Sequence, residues 1–176
     1  LVISAHWLTS GTYVTCMKNP SIIYDFYGFP RALYEEKYPA HGSPEVAKKV
    51  IQCIKSINVS CSEDWGLDHA SWAILKHLYP AADIPVVEMS LDYRFNEWQP
   101  KPLEYHYRLG SELLELRKQG VLIIGSGNIV HNLRLISFED IDAPVDDWAK
   151  EFDEQVKKSI IENNHSDLLD IQKFGK

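Results

Sequence analysis

VLIIGSGNIVHNLR, residues 121–134, is where the reading of the chain begins. Four consecutive apolar residues, Val121 to Ile124, read as a β-strand buried on both faces. Gly125, Ser126, Gly127 and Asn128 then break the run, and residues 129–134 can begin a helix. An apolar run ending in small residues is how an open α/β sheet brings a side chain to the carboxyl edge of its strands, where ligands bind. The side chain brought there is His131.

Outward from this stretch, apolar runs and helical periodicities alternate. Residues 1–5 read as a strand already under way, with His6 and Trp7 at its end. Together with the closing Lys173-Phe174-Gly175-Lys176, this start suggests a piece of a longer protein. Residues 12–17 are β-rich and follow Ser10-Gly11. Residues 19–39 read as a loop carrying Tyr24, Phe26, Tyr27, Phe29, Tyr34 and Tyr38, an aromatic density that packs under a core or walls a pocket. Ser43-Pro44-Glu45 signals a helix start: a capping hydroxyl, a proline at the first helical position and an acid in the first turn. Further strands are expected at 58–61 and 84–91, and further helices at 68–79, 102–119 (stopped by Gly120), 145–163 and 166–171. The alternation predicts an α/β protein, an αβα sandwich with a mainly parallel central sheet, as a single domain over residues 1–176.

Composition narrows the function classes. An apolar fraction of 45% and a charged fraction of 24% are those of an ordinary soluble protein, and the net charge of −7 with no Lys/Arg stripe argues against nucleic acid. No apolar run approaches the roughly 20 residues needed to cross a bilayer. Cys16, Cys53 and Cys61 are odd in number and lack CxxC spacing, which predicts partly buried free thiols in a reducing cytoplasm rather than a disulfide framework or zinc knuckle.

The chemistry rests with the seven histidines. His41, His77, His106 and His165 fall in turns, helix ends or polar helical settings that account for them without a function. His6, His69 and His131 each follow an apolar run or open a helix beyond a strand, positions from which three imidazoles can converge on one cleft. Asp68 suits either a helix N-cap or a partner that orients an imidazole. Neutral imidazoles suit Fe(II) or Zn(II), and another histidine can serve as acid or base near neutral pH. There is no HExxH, no carboxylate at a diagnostic metal spacing, no GxSxG around Ser126 and no GxGxxG. Metalloprotease, serine hydrolase and dinucleotide readings therefore rank low.

Four motifs occur in the order found in class III extradiol ring-cleaving dioxygenases. They are Ser4-Ala5-His6-Trp7, Asp25-Phe26-Tyr27-Gly28-Phe29-Pro30, Trp65-Gly66-Leu67-Asp68-His69-Ala70-Ser71-Trp72, and Ser126-Gly127-Asn128-Ile129-Val130-His131-Asn132-Leu133. The chain resembles the DOPA 4,5-dioxygenase-like subgroup over nearly its whole length. The resemblance implies a non-haem metal, Fe(II) or Zn(II), and a catechol cleaved beside its two hydroxyls with O₂. It implies that His6 is a metal ligand and that His131 stands at the metal centre as ligand or as acid/base. It further implies that His69 meets substrate or oxygen, and that Asp68, Phe26 and Phe29 contact the aromatic substrate.

The family also places ligand histidines in a Gly-His-Gly-Ser-Pro turn ahead of the first motif and in a segment before a Pro-Leu pair. Neither is found at its place in this sequence; His41-Gly42-Ser43-Pro44 has similar letters but follows the His6 strand and reads as a helix cap. The chain is thus expected to be the central portion of a dioxygenase domain. The main alternative is a non-catalytic module of the same fold that binds an aromatic ligand, and a zinc-dependent hydrolase ranks last.

Overall fold

The computed structural model describes residues 1–94, 102–137, 140 and 142–174, so Gly175 and Lys176 of the tail lie outside it. They fall into two compact units, Leu1–Gly127 and Asn128–Lys176. The first holds a five-stranded sheet in the order β3-β2-β4-β1-β5. Its strands are β1 (Val2–Thr9), β2 (Thr12–Thr15), β3 (Val59–Ser62), β4 (Glu88–Asp92) and β5 (Ile124–Ser126). Three pairings are parallel, and β2 runs antiparallel to β4. The α/β architecture with a mainly parallel sheet is the one the alternation predicted.

Side-chain alternation along the strands sorts the core into two faces. Leu1, Val87 and Met89 pack on one face with Ala47 and Val50 of α2 (Pro44–Cys53), Leu109 of α4 (Pro102–Glu112) and Leu116 of α5 (Leu114–Lys118). Val2 and Val86 pack on the other with Trp72 and Leu75 of α3 (His69–Leu78). A short α1 (Arg31–Tyr34) lies within the aromatic loop. Ser43 caps α2 as expected, its Oγ accepting the Val46 N–H at 3.2 Å.

Several expectations are corrected. The 121–124 strand is short and lies at the sheet edge: among the described residues β5 pairs only with β1, and Leu122 is 54% exposed. With a ladder on one side only, Val121 and Ile123 pack into the α2/α4/α5 core without joining a strand. The expected 102–119 helix breaks at Leu113, after Gly110 and after Ser111, whose Oγ donates back to Tyr107 O at 3.0 Å, a bond that bends helices. The break lets Leu113 and Leu116 both bury fully, each contributing about 2 kcal/mol. Gly120, at φ 81°, follows the C-cap of α5 as its stop signal foretold.

Cys16 and Cys61 form a disulfide, with Cα atoms 5.7 Å apart, where three free thiols were expected. Parallel pairing of β2 with β3 brings Cys16 beside Ser62, whose carbonyl accepts its N–H at 3.1 Å. The odd count arises because Cys53, half-buried on α2, is left over.

In the second unit, α6 (Asp147–Ile161) and α7 (His165–Leu169) occupy the two expected helical stretches, followed by a 3-10 turn at Ile171–Phe174. The helix expected from residue 129 does not form. Asn132 offers its Oδ1 to the Arg134 N–H at 3.2 Å and its carbonyl to Leu135 N at 3.1 Å, a local turn that competes with helix. Among the described residues, no helix is long and apolar enough to cross a membrane.

Candidate active site

His6 lies within β1 rather than at its end, at a place where the strand leaves its ladder. The register of β1 against β4 shifts between Ile3 and Leu8, and the His6 N–H donates to Ser4 Oγ at 3.1 Å. Such irregularities re-aim side chains beside functional sites. Here the imidazole of His6 comes to that of His69, with ring centroids 4.0 Å apart.

His69 owes its place to a helix start. Asp68 is the N-cap of α3, its carboxylate accepting the Ser71 N–H at 3.3 Å, so His69 is the first helical residue. Gly66, just upstream, is required by a close approach: a Cβ there would sit 1.9 Å from Ser21 O. That approach lets Leu67 N donate to Ser21 O at 2.8 Å and Ile23 N to Leu67 O at 2.7 Å, tying the aromatic loop to the start of α3.

The same loop delivers Asp25. Its Oδ1 accepts the backbone N–H of His69 at 2.9 Å and lies 2.8 Å from His69 Nδ1, while its Oδ2 lies 3.8 Å from His6 Nδ1. A carboxylate at the opening turn of a helix is favoured by the helix dipole. The side chains of His6, His69 and Asp25 are 31%, 30% and 16% exposed, so the cluster is walled yet open to a ligand. Phe26 closes one side, edge-on to the His69 ring at 5.6 Å and to Phe29 at 5.4 Å.

The donor set fits a divalent metal. One donor atom from each of His6, Asp25 and His69 lies within 4.8 Å of the others. His69 Nδ1 is buried and, although close to Asp25, is not aligned with it for a hydrogen bond. A buried imidazole nitrogen without a bonding partner beside a carboxylate and a second imidazole is what a coordinating cation satisfies.

The remaining sequence-singled residues fall as follows. Asp68 has no exposed surface; its oxygens face Ser4 Oγ, at 2.5 Å, and Ser71 N, a position from which it supports His69. Phe29 is 49% exposed at the loop surface. His131 belongs to the second unit, where it is exposed and lines a cavity of about 460 Å³ with Asn132, Leu133, Pro144 and Trp148. Ser126 is buried, its Oγ donating to Ala70 O at 2.7 Å, which joins β5 to the start of α3.

Asp25 of the cluster, and a buried acid beneath the start of α3, escaped the sequence reading. Asp25 was placed only in the pocket wall, because loop closure rather than sequence spacing brings it to the histidines. Glu88 was one acid in an apolar strand, yet it is fully buried with its carboxyl beside Asp68. A lone charge in a strand expected to be buried was the signal. Burial first, then the hydrogen bond and charge of Asp68, push Glu88 up to about 9, against the opposing bonds from Ser71 and Trp65.

A mainly parallel α/β sheet with two histidines and a carboxylate grouped beside an aromatic loop defines a candidate non-haem metal site. Residues 1–174 match the family described as the catalytic LigB subunit of aromatic ring-opening dioxygenase. The chain is 43% identical over 161 residues to a 4,5-DOPA dioxygenase extradiol of Escherichia coli K12, covering 91% of this chain and 57% of that protein. It is 38% identical to a protein of the same name from Mirabilis jalapa, covering 99% and 63%. The crystal structure of an uncharacterized protein from Escherichia coli K12 superposes with a TM-score of 0.70 at 38% identity, covering 90% of this chain and 57% of that one. The chain belongs to the LigB family of aromatic ring-opening dioxygenases. It spans about three fifths of the length of these curated relatives.

Proposed function

We propose that the intact protein opens the ring of a catechol beside its two hydroxyls, both atoms of O₂ entering the product, with Fe(II) at His6 in the active form and Zn(II) able to fill the same place. The observation that carries this reading is the His6–Asp25–His69 cluster, assembled from three motifs that resemble the extradiol family. The names of the relatives support ring cleavage of a DOPA-like substrate.

His6 would hold the metal, with Asp25 and His69 in reach of the same point. Bound Fe(II) would supply Lewis-acid activation of the catechol and the electron exchange that O₂ chemistry needs, whereas Zn(II), which has no redox chemistry, would fill the site without turnover. The protein's own residues do the rest. His69, with its Nδ1 turned to the metal point beside Asp25, would carry its N–H at the other ring nitrogen and donate a hydrogen bond to substrate or oxygen. Phe26 presents an apolar edge that suits an aromatic ring and keeps water from the imidazole. Phe29 extends that wall. Asp68 acts on substrate only through the helix turn that it caps. His131 is assigned proton transfer on the resemblance of its Ser-Gly-Asn-Ile-Val-His motif alone.

The test is anaerobic loading of the intact protein with Fe(II), addition of L-DOPA or protocatechuate, then admission of air. The expected result is O₂ uptake that matches catechol loss, with a yellow ring-opened product. No O₂ uptake with either catechol would overturn the reading. Catechol binding without turnover or bound metal would instead favour an aromatic-binding module, for which the packed Tyr24, Phe26, Tyr34 and Trp72 rings speak.

A further inference from the structure

Two stretches of chain leave the sheet side by side and meet again at the histidine cluster. One runs from β2 through the aromatic loop to Asp25; the other runs from β3 to the head of α3 and His69. Because β2 and β3 pair in parallel, both leave from the same edge and in the same direction. Their contact resumes at a parallel bridge between Ile22 and Leu67. There Leu67 N–H donates to Ser21 O at 2.8 Å and Ile23 N–H to Leu67 O at 2.7 Å. Two residues further, Asp25 accepts the His69 N–H at 2.9 Å.

The Cys16–Cys61 disulfide ties these stretches where they part from the sheet. Cys16 follows the last residue of β2 and Cys61 stands within β3, with Asp25 and His69 nine and eight residues further on. The covalent loop that it closes contains Asp25, Phe26 and α1 but leaves His69 outside. A metal shared by His6, Asp25 and His69 needs donors from both sides of that closure within 4.8 Å of one another. Backbone hydrogen bonds also join the stretches, but each contributes little in net terms.

The bond is open to exchange. Cys61 is exposed and Cys16 half-buried, and β3 is an edge strand of the sheet. An attacking thiolate can therefore reach it. A dithiol breaks the S–S bond through a mixed disulfide, closes into its own disulfide, and supplies the two electrons and two protons that leave Cys16 and Cys61 as thiols. A small-molecule disulfide, taking those electrons and protons, reverses the exchange.

We propose that Cys16–Cys61 is a redox clasp on the metal site: closed, it holds Asp25 beside His69; opened by a dithiol, it lets the Asp25 stretch loosen and weakens metal binding. This rests on the reading of His6, Asp25 and His69 as that site. Cys16 and Cys61 are positioning residues, acting on the donors through the two stretches that they join.

The test is Mn(II) binding to the intact protein, oxidised and dithiol-reduced, followed by loss of the free-ion electron paramagnetic resonance signal. Mn(II) prefers oxygen donors to thiolate, so the freed sulfurs do not draw it from the cluster. Oxidised protein should bind an ion that His6→Ala does not. Reduction should add two thiols per chain, leave the circular dichroism of the fold unchanged and weaken Mn(II) binding by about tenfold. A small-molecule disulfide should restore it. Cys61→Ser should match the reduced form and show no further response to dithiol. Equal affinity in folded oxidised and reduced protein would make the bond a stabiliser only and overturn the proposal. So would a reduced chain that no longer folds, because a clasp needs both states. None of these readouts uses ring opening. Redox-dependent affinity in a protein that opens no catechol defeats the proposed activity and supports the clasp. Ring opening by a protein with one metal affinity in both redox states does the reverse.

Discussion

Replacing Glu88 by glutamine should change how stability depends on pH, in a direction fixed by the sign of the proton balance. The ordinary glutamate value is 4.5, and in the folded chain Glu88 stands at about 9, raised by burial and by Asp68. Across that window the native state holds a proton that the unfolded chain releases, so folding takes up a proton. Stability from this group is complete below the unfolded value and is lost as pH rises towards the folded one. Each pH unit costs about 1.4 kcal/mol, so from about pH 6 to about pH 8 the wild type should lose about 2.7 kcal/mol through Glu88. Glutamine does not titrate. Urea unfolding of both proteins at the two pH values cancels the groups they share. The expected outcome is a Glu88→Gln stability that gains on wild type by about 2.7 kcal/mol over that interval. A difference that stays constant with pH would show Glu88 ionised in the native state and refute the reasoning.

Other expectations are equally concrete. Reducing the Cys16–Cys61 disulfide releases a loop with a sequence separation of 45 and should lower unfolding stability by about 4 kcal/mol on the chain-entropy model, read by urea titration with and without dithiothreitol. Gly66→Ala should destabilise by about 3 kcal/mol, because its Cβ meets backbone rather than a movable side chain, and thermal unfolding would report this. His131→Ala in the intact protein should abolish ring opening with the fold retained, whereas His77→Ala should leave turnover near wild type. Equal loss from both would mean the roles are wrongly assigned.

Much of the fold was legible because its signals are local. Ser43-Pro44 announced α2, Gly120 ended α5, and the Asp68–His69 junction opened α3, each through backbone groups satisfied within a few residues. Strand position was harder to see: an apolar run at 121–124 reads alike whether it is central or at an edge, and only pairing with β1 decides. The His6–His69 meeting was half legible: His69 begins α3 at the expected helix start, whereas His6 lies inside β1, where a shift in register that no sequence pattern announces re-aims it. Asp25 and Glu88 did not, since their partners lie across the sheet or across a loop, at separations that no periodicity encodes. The disulfide was hidden for the same reason, as Cys16 and Cys61 become neighbours only once β2 and β3 pair in parallel.

The most direct test of the account is the metal content of the intact protein after loading with Fe(II) or Zn(II) and exhaustive dialysis, measured for wild type, His6→Ala and His77→Ala. The account predicts about one ion per chain in wild type and in His77→Ala, and loss of that ion in folded His6→Ala. Wild type that retains no stoichiometric ion, or His6→Ala that retains as much as wild type, would contradict it.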